Sequence, residues 1–202
     1  MSVLDLTTVE RVISYMGSAN SGAAAGGWSD PNKAILAGMI STVSQDFENY
    51  CNRLFKVESR VHSEVLDGPI VFPPAAPILS VASIMGAASG RVADMAPLGV
   101  ADYDILPDGE GVVFYTLGRG ARVAVTYAGG LAGDTTSLVA AHPTLAGKCD
   151  LQVAMLWRRH NTADKTGQTL GNGNTSWNAE YKMLEDVIDT LDNQYLRVNG
   201  FL

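Results

Sequence analysis

The sequence predicts an α+β fold: a helical bundle built from both ends of the chain, with a small antiparallel β-sheet or barrel inserted between helices 2 and 3, and a further C-terminal helix. Two observations support this prediction. Apolar residues recur at helical spacing near both ends of the chain, whereas in the middle they alternate with a period of two between turn residues. With 47% hydrophobic and 17% charged residues, the 202-residue chain can form a core of its own.

The N-terminal two-helix part of the bundle covers residues 1–55. Thr7 and Glu10 have the spacing of a capping box and predict the start of the first helix. Asp30-Pro31 predicts the start of the second, because aspartate caps a helix and proline suits its first turn. Its apolar face continues to about Leu54.

The small β subdomain covers residues 56–130. From Val57 to Val65, Val or Ser alternates with Glu58, Arg60, His62 and Glu64, which predicts a strand with a wet, charged face. Turn residues separate the later apolar runs, as in a sheet of short antiparallel strands. Those runs are Ile78–Met85, Tyr103–Leu106, Val112–Leu117 and Val123–Tyr127.

The third bundle helix is expected at residues 137–160, with Pro143 in or just before its first turn. A flexible linker at 161–176 separates it from a C-terminal helix and docking tail at 177–202. Apolar residues of this tail are spaced by an average of 3.5, which keeps a seam facing another helix. The seam, with Phe201 added as a further apolar candidate, comprises Trp177, Tyr181, Leu184, Ile188, Leu191, Tyr195, Val198, Phe201 and Leu202.

Two interpretations of this seam remain open from the sequence. It packs against the chain's own third helix, or at least part of it docks on a neighbouring subunit. The opposite face is acidic and carries Glu185, Asp189 and Asp192.

The charge of the chain disfavours nucleic-acid binding. The net charge is −7, and Arg158-Arg159 is the only adjacent basic pair, whereas proteins that grip phosphates cluster Lys and Arg. An acidic surface instead repels DNA and suits a wall that DNA must slide past. The apolar stretch Pro77–Ala88 is shorter than the ~20 residues of a membrane span, so we expect no membrane partner.

No motif for catalysis or cofactor binding is found. Asp164-Lys165-Thr166-Gly167 lacks the preceding glycines of a phosphate-binding loop. Asp102 and Asp104 share a strand face without a nucleophile or base beside them. The three histidines are too scattered in the sequence for a metal site. We therefore expect no enzyme, no cofactor and no metal.

The two cysteines, Cys51 and Cys149, lie far apart in helical patterns. Because the first residues lack a basic region and an apolar core, they do not read as a signal peptide. We expect both thiols to be free and buried in a protein made in a reducing cytoplasm.

The order of the elements resembles the head–tail connector (adaptor, or head-completion) family of long-tailed bacteriophages and gene-transfer agents. In that family a helix with a Glu-x-Tyr-x-x-Arg-x-Phe pattern precedes the strands, and a Val-x-Tyr-x-Gly-Gly strand end precedes a Pro-x-x-Leu helix. The matching residues are Glu48, Tyr50, Arg53 and Phe55, then Val125–Gly130, and then, more loosely, Pro143 with Leu145. The resemblance covers about residues 5 to 160 and departs at the loop 86–100 and the tail after His160.

The resemblance implies a non-enzymatic virion protein. Such a protein forms a ring, usually of twelve copies, between the portal at the capsid vertex and the next neck or tail component. It surrounds the DNA channel without sequence-specific binding and is present in the host cytoplasm during assembly. The seam from Trp177 would then be a docking element, and Glu185, Asp189 and Asp192 would line the channel.

Two alternatives stay open. One is another ring-forming neck or tail protein, such as a stopper or tail terminator, which only the portal contact separates from an adaptor. The other is an enzyme or small-molecule-binding domain with its pocket in the β subdomain.

Overall fold

The computed structural model describes residues 3–19, 28–163 and 182–196, without the side chains of residues 18, 19 and 161–163. The described residues form five α-helices and seven strands, in the predicted α+β arrangement. The helices are α1 (Val9–Ala19), α2 (Asp30–Cys51), α3 (Thr135–Ala141), α4 (Pro143–Ala163) and α5 (Glu185–Gln194). The strands are β1 (Glu58–Val65), β2 (Ile70–Val71), β3 (Ile78–Ala87), β4 (Ala96–Pro97), β5 (Tyr103–Ile105), β6 (Val112–Phe114) and β7 (Arg122–Gly129). All seven strands lie between α2 and α3 in sequence, as predicted.

The helices form one compact unit from both ends of the chain, Leu4–Cys51 and Leu138–Leu196. Helix α4 packs against α1, α2 and α5. The apolar stripes predicted from the sequence supply this core, whose fully buried members include Val12, Ile40, Phe47, Leu145 and Val153.

The first helix is capped by a different threonine from the one predicted. The Thr8 hydroxyl accepts a hydrogen bond of 3.3 Å from the amide of Arg11, so Thr8 is the N-cap of α1. Thr7 is buried instead, and its hydroxyl donates to the carboxylate of Asp150 in α4. A buried acceptor in the helical core therefore takes the hydroxyl that the capping-box pattern had assigned to the helix end.

Two other helix boundaries also differ from the predicted ones. Helix α2 ends at Cys51 because Asn52 has a positive φ of 49°, which a right-handed helix does not accommodate. A short helix, α3, precedes Pro143, and His142 separates it from α4. Proline is the first residue of α4, where its missing amide costs no helical hydrogen bond.

The strands form the second compact unit, Asn52–Ser137. One antiparallel sheet has the order β1-β7-β3-β4 and the other β2-β6-β5. The two sheets share one apolar core, with Val71, Val112 and Phe114 from one sheet and Ile84 and Val125 from the other.

Strand β1 faces the opposite way from the prediction. Its register places Arg60 beside Tyr127 and Glu64 beside Val123, both on the core side of β7. The valines point outward, so that Val61 is 67% exposed. The predicted wet face is therefore wrong, because β1 is an edge strand: long charged side chains can cover the margin of the core with their stems while their charged ends pair.

Candidate interaction surfaces

The backbone entering α5 is held by a buried glutamine. The side chain of Gln152 in α4 accepts a hydrogen bond of 3.1 Å from the amide of Leu184, and its nitrogen lies 3.4 Å from the carbonyl oxygen of Lys182. Gln152 is fully buried. Both contacts need the chain before α5 to be extended, and Leu184 has the dihedral angles of an extended residue. The continuous helix predicted from Trp177 is therefore wrong at residues 182–184, and the helix begins at Glu185.

One face of α5 is buried within the helical unit. Val187 and Leu191 are fully buried and Tyr195 nearly so, at helical spacings of four residues. The ring of Tyr195 lies edge-on to that of His142, with 6.1 Å between the ring centroids. This face attaches α5 to α2 and α4 of its own chain.

Two polar contacts attach the acidic side of α5 to neighbouring helices. The hydroxyl of Tyr50 in α2 donates a hydrogen bond of 2.7 Å to Asp192. The ammonium of Lys148 in α4 lies 2.5 Å from a carboxylate oxygen of Asp186. The hydrogen bond to Asp192 and its negative charge raise the pKa of Tyr50 above its usual value, so Tyr50 keeps its proton at neutral pH.

The residues of the predicted seam have separate locations. Leu191 and Tyr195 are buried by their own chain, whereas Leu184 and Ile188 are half-buried. Trp177, Tyr181, Val198, Phe201 and Leu202 lie outside the described residues. The described part of the seam therefore packs within the chain, and its predicted docking on another molecule stays a prediction.

The predicted channel-lining carboxylates lie on the exposed side of α5. Glu185 and Asp189 are exposed. Asp192 is also exposed, but its carboxylate accepts the hydrogen bond from Tyr50. Glu185 and Asp189 are thus the two members of the set that can change charge without losing the Tyr50 contact.

The residues screened for chemistry have structural roles. Asp102 accepts a hydrogen bond from the amide of Gly99, and Asp104 from that of Ile105. Cys51 and Cys149 are free and buried, and burial raises the pKa of the Cys149 thiol, which disfavours its reactive thiolate form. The described residues contain no cluster of metal-binding side chains, and none of their helices has the length and apolar character to cross a membrane.

The sequence analysis missed a second surface, on the β unit. The outer sheet face is the side of the four-stranded sheet away from its core, and is formed by Val61, Val65, Ser83, Met85, Ala124 and Thr126. Alternation revealed that β1 has two unlike faces, but a period of two does not say which one meets the core.

The fold is shared with proteins of known structure in gene transfer agent (GTA) particles. A chain in the neck of an empty GTA particle, computed with C6 symmetry, has a TM-score of 0.57 and 15% identity, over 96% of this chain and 92% of that chain. A chain in the virion of a native GTA particle gives 0.56 and 15%, over 94% and 90%. A chain in the neck of a native GTA particle, computed with C12 symmetry, gives 0.51 and 13%, over 100% and 98%.

Neither comparison by sequence identifies a relative: no protein-family model matches this chain, and no curated protein does. The likeness to the GTA chains extends over nearly the whole of both partners in each pair. The sequence resemblance to head–tail connector proteins is therefore confirmed at the level of the fold.

Proposed function

We propose that this chain is a non-enzymatic structural protein of a virion neck. The observation that carries the proposal is its likeness to three GTA neck and virion chains, over at least 94% of this chain. An insertion or a separate catalytic domain would lower that coverage. The burial of Cys149 and the use of Asp102 in a turn also leave these groups without a part in catalysis.

Within the neck, we propose the adaptor role. Twelve copies would form a ring between the portal and the next neck or tail component, around the DNA channel, after synthesis in the host cytoplasm. The C12 symmetry of one GTA neck fits that copy number. A net charge of −7 per copy would give such a ring a surface that repels DNA and lets it pass.

The decisive experiment is electron microscopy of the purified chain mixed with the portal protein encoded beside it. The adaptor role predicts twelvefold rings of this chain seated on the portal. Rings that bind a tail protein and leave the portal bare would instead support a tail-terminator role. Conversion of a small molecule by the pure chain would contradict the structural role.

The seam of α5 is proposed to contribute to docking through its less buried members. Leu191 and Tyr195 hold the helix to its own chain, so Leu184 and Ile188 are the described residues available to a portal. Replacement of Ile188 by aspartate should prevent portal binding, whereas Gln194→Asp on the exposed side should not. Equal portal binding by both variants would remove the seam from the interface.

The exposed carboxylates of α5 are proposed to face the DNA channel. Glu185→Lys and Asp189→Lys together change the charge by four units per copy and leave the Tyr50–Asp192 contact intact. These variants should slow DNA ejection from assembled particles, and more strongly at low salt, because the new attraction to phosphates is screened by ions. Unchanged ejection kinetics at low salt would place α5 away from the channel.

A further inference from the structure

The outer sheet face has the composition of a contact surface. Val61 is 67% exposed and Val65 48%, while Glu58, Arg60 and Glu64 on the same strand are half-buried. A strand of an isolated molecule gains most when its apolar side meets the core and its charged side meets water. Strand β1 has the reverse arrangement, which leaves apolar surface available to another molecule.

The strands beside β1 continue this surface. In β7, Ala124 and Thr126 alternate with the buried Val123 and Val125, and so point outward. In β3, Met85 lies directly opposite Ala124, and Ser83 opposite Thr126. The outer sheet face therefore extends over three adjacent strands.

This face is almost free of charge. Among the outward positions of β1, β7 and the paired part of β3, the only charged side chain is that of Arg122, at the end of the face. The Nε of Arg122 donates a hydrogen bond of 3.1 Å to the carbonyl oxygen of Gly90. The remaining outward side chains of these strands are Val, Ser, Ala, Thr and Met.

We propose that a second copy of this chain covers the outer sheet face, so that it is the contact between neighbouring copies in the ring. The inference rests on the proposed function and names the interface that the ring requires. Each copy carries a net charge of −7, so two copies repel each other wherever their charged surfaces meet. They approach at least cost through an uncharged, apolar face, whereas a basic partner would gain more from an acidic one.

The size of the face explains why the contact would need the ring. Eight residues per strand at ~3.3 Å each and three strands ~4.8 Å apart give about 400 Å². A stable complex of two proteins covers about 800 Å² on each partner. The contact between two free copies is therefore weak, and closure of the ring stabilises it by adding a contact on the other side of each copy.

Photo-cross-linking of the purified chain at high concentration tests this contact directly. A benzophenone amino acid is placed at Val61 in one sample and at Val100 in another, which is more exposed at 87% but lies outside the sheet. The expected result is an adduct of twice the chain mass from position 61 only. Absence of that adduct, or equal adducts from both positions, would overturn the proposal.

Charge substitution tests the same face in assembled rings. Val61→Asp with Val65→Asp should abolish rings on the portal, and Val100→Asp should leave them unchanged. Far-ultraviolet circular dichroism and thermal melting of the isolated variants establish that they still fold. Rings formed by the double variant would overturn the sheet contact and leave the neck function standing. If the wild-type chain forms no rings, the proposed function fails, and the cross-linking of the pure chain still decides the sheet contact.

Discussion

The hydroxyl of Tyr50 in α2 donates a hydrogen bond of 2.7 Å to the carboxylate of Asp192 in α5. The two residues are 142 positions apart in the sequence, so this contact joins the N-terminal and C-terminal parts of the helical unit. The hydrogen bond, followed by desolvation and the charge of Asp192, raises the pKa of Tyr50. A group with a raised pKa in the folded state stabilises the fold below its unfolded pKa, and the contribution is lost as pH rises through the folded value. The contact is therefore fully present at neutral pH and is lost only in alkaline solution.

The first prediction concerns the titration of Tyr50. Asp192→Ala removes both the acceptor and the negative charge, so Tyr50 should lose its proton at a lower pH than in the wild-type chain. The measurement is the tyrosinate absorbance difference between each protein and its own Tyr50→Phe counterpart, which isolates one of the seven tyrosines. Glu185→Ala, on the same helix, is the matched control and should leave the titration unchanged. A titration of Tyr50 that Asp192→Ala does not move would show that the contact is absent in solution.

A second prediction concerns the attachment of α5. Leu191 is fully buried, and Leu191→Ala should lower the free energy of unfolding by about 2–5 kcal/mol, because it removes apolar contacts and leaves a cavity. Leu196 in the same segment is 37% exposed, and Leu196→Ala should change that free energy by about 0.5 kcal/mol or less. Urea denaturation followed by circular dichroism measures both. Similar values for the two variants would mean that α5 does not pack on its own chain.

Periodicity predicted most of the fold because the burial of side chains sets the local pattern. The apolar stripe of α2, with Ile40, Val43 and Phe47, is buried as its helical spacing requires. In the β unit, Val123, Val125 and Tyr127 alternate with half-buried residues along β7. Tyr127, interpreted from the sequence as a core aromatic, is 1% exposed, and its hydroxyl accepts a hydrogen bond from the amide of Ala75.

Long-range contacts determined the features that the sequence did not predict correctly. The cap of α1 moved from Thr7 to Thr8 because Asp150, 143 residues away from Thr7, binds the Thr7 hydroxyl. Strand β1 is inverted because its neighbour β7 places the core on the side of Arg60 and Glu64. Neither Asp150 nor β7 is near in sequence to the residue it affects, so no local pattern contains the information.

A third prediction concerns this buried carboxylate. Asp150 is 3% exposed and accepts hydrogen bonds from the Thr7 hydroxyl and, at 2.8 Å, from the guanidinium of Arg11. Asp150→Ala should lower the free energy of unfolding by about 1–3 kcal/mol, because the buried Thr7 hydroxyl is left without its acceptor. In a double-mutant cycle, Thr7→Val should remove part of that loss. Glu10→Ala, on the exposed side of α1, is the control and should have little effect; equal losses from both alanine variants would contradict a buried network.

The last prediction concerns the glycine pair at the end of β7. Gly130 has a φ of +128°, and a Cβ atom there would lie 2.7 Å from the carbonyl carbon and oxygen of Lys56. Gly130→Ala should therefore lower the free energy of unfolding by about 1–3 kcal/mol, since both the backbone conformation and the approach of Lys56 exclude a side chain. Gly133 is the matched control, because a Cβ atom at that position meets no atom within 4 Å. Thermal melting of the two alanine variants should show a lower melting temperature for position 130 only. If the position 130 variant melts with the wild-type chain, the turn that ends β7 does not have the conformation described.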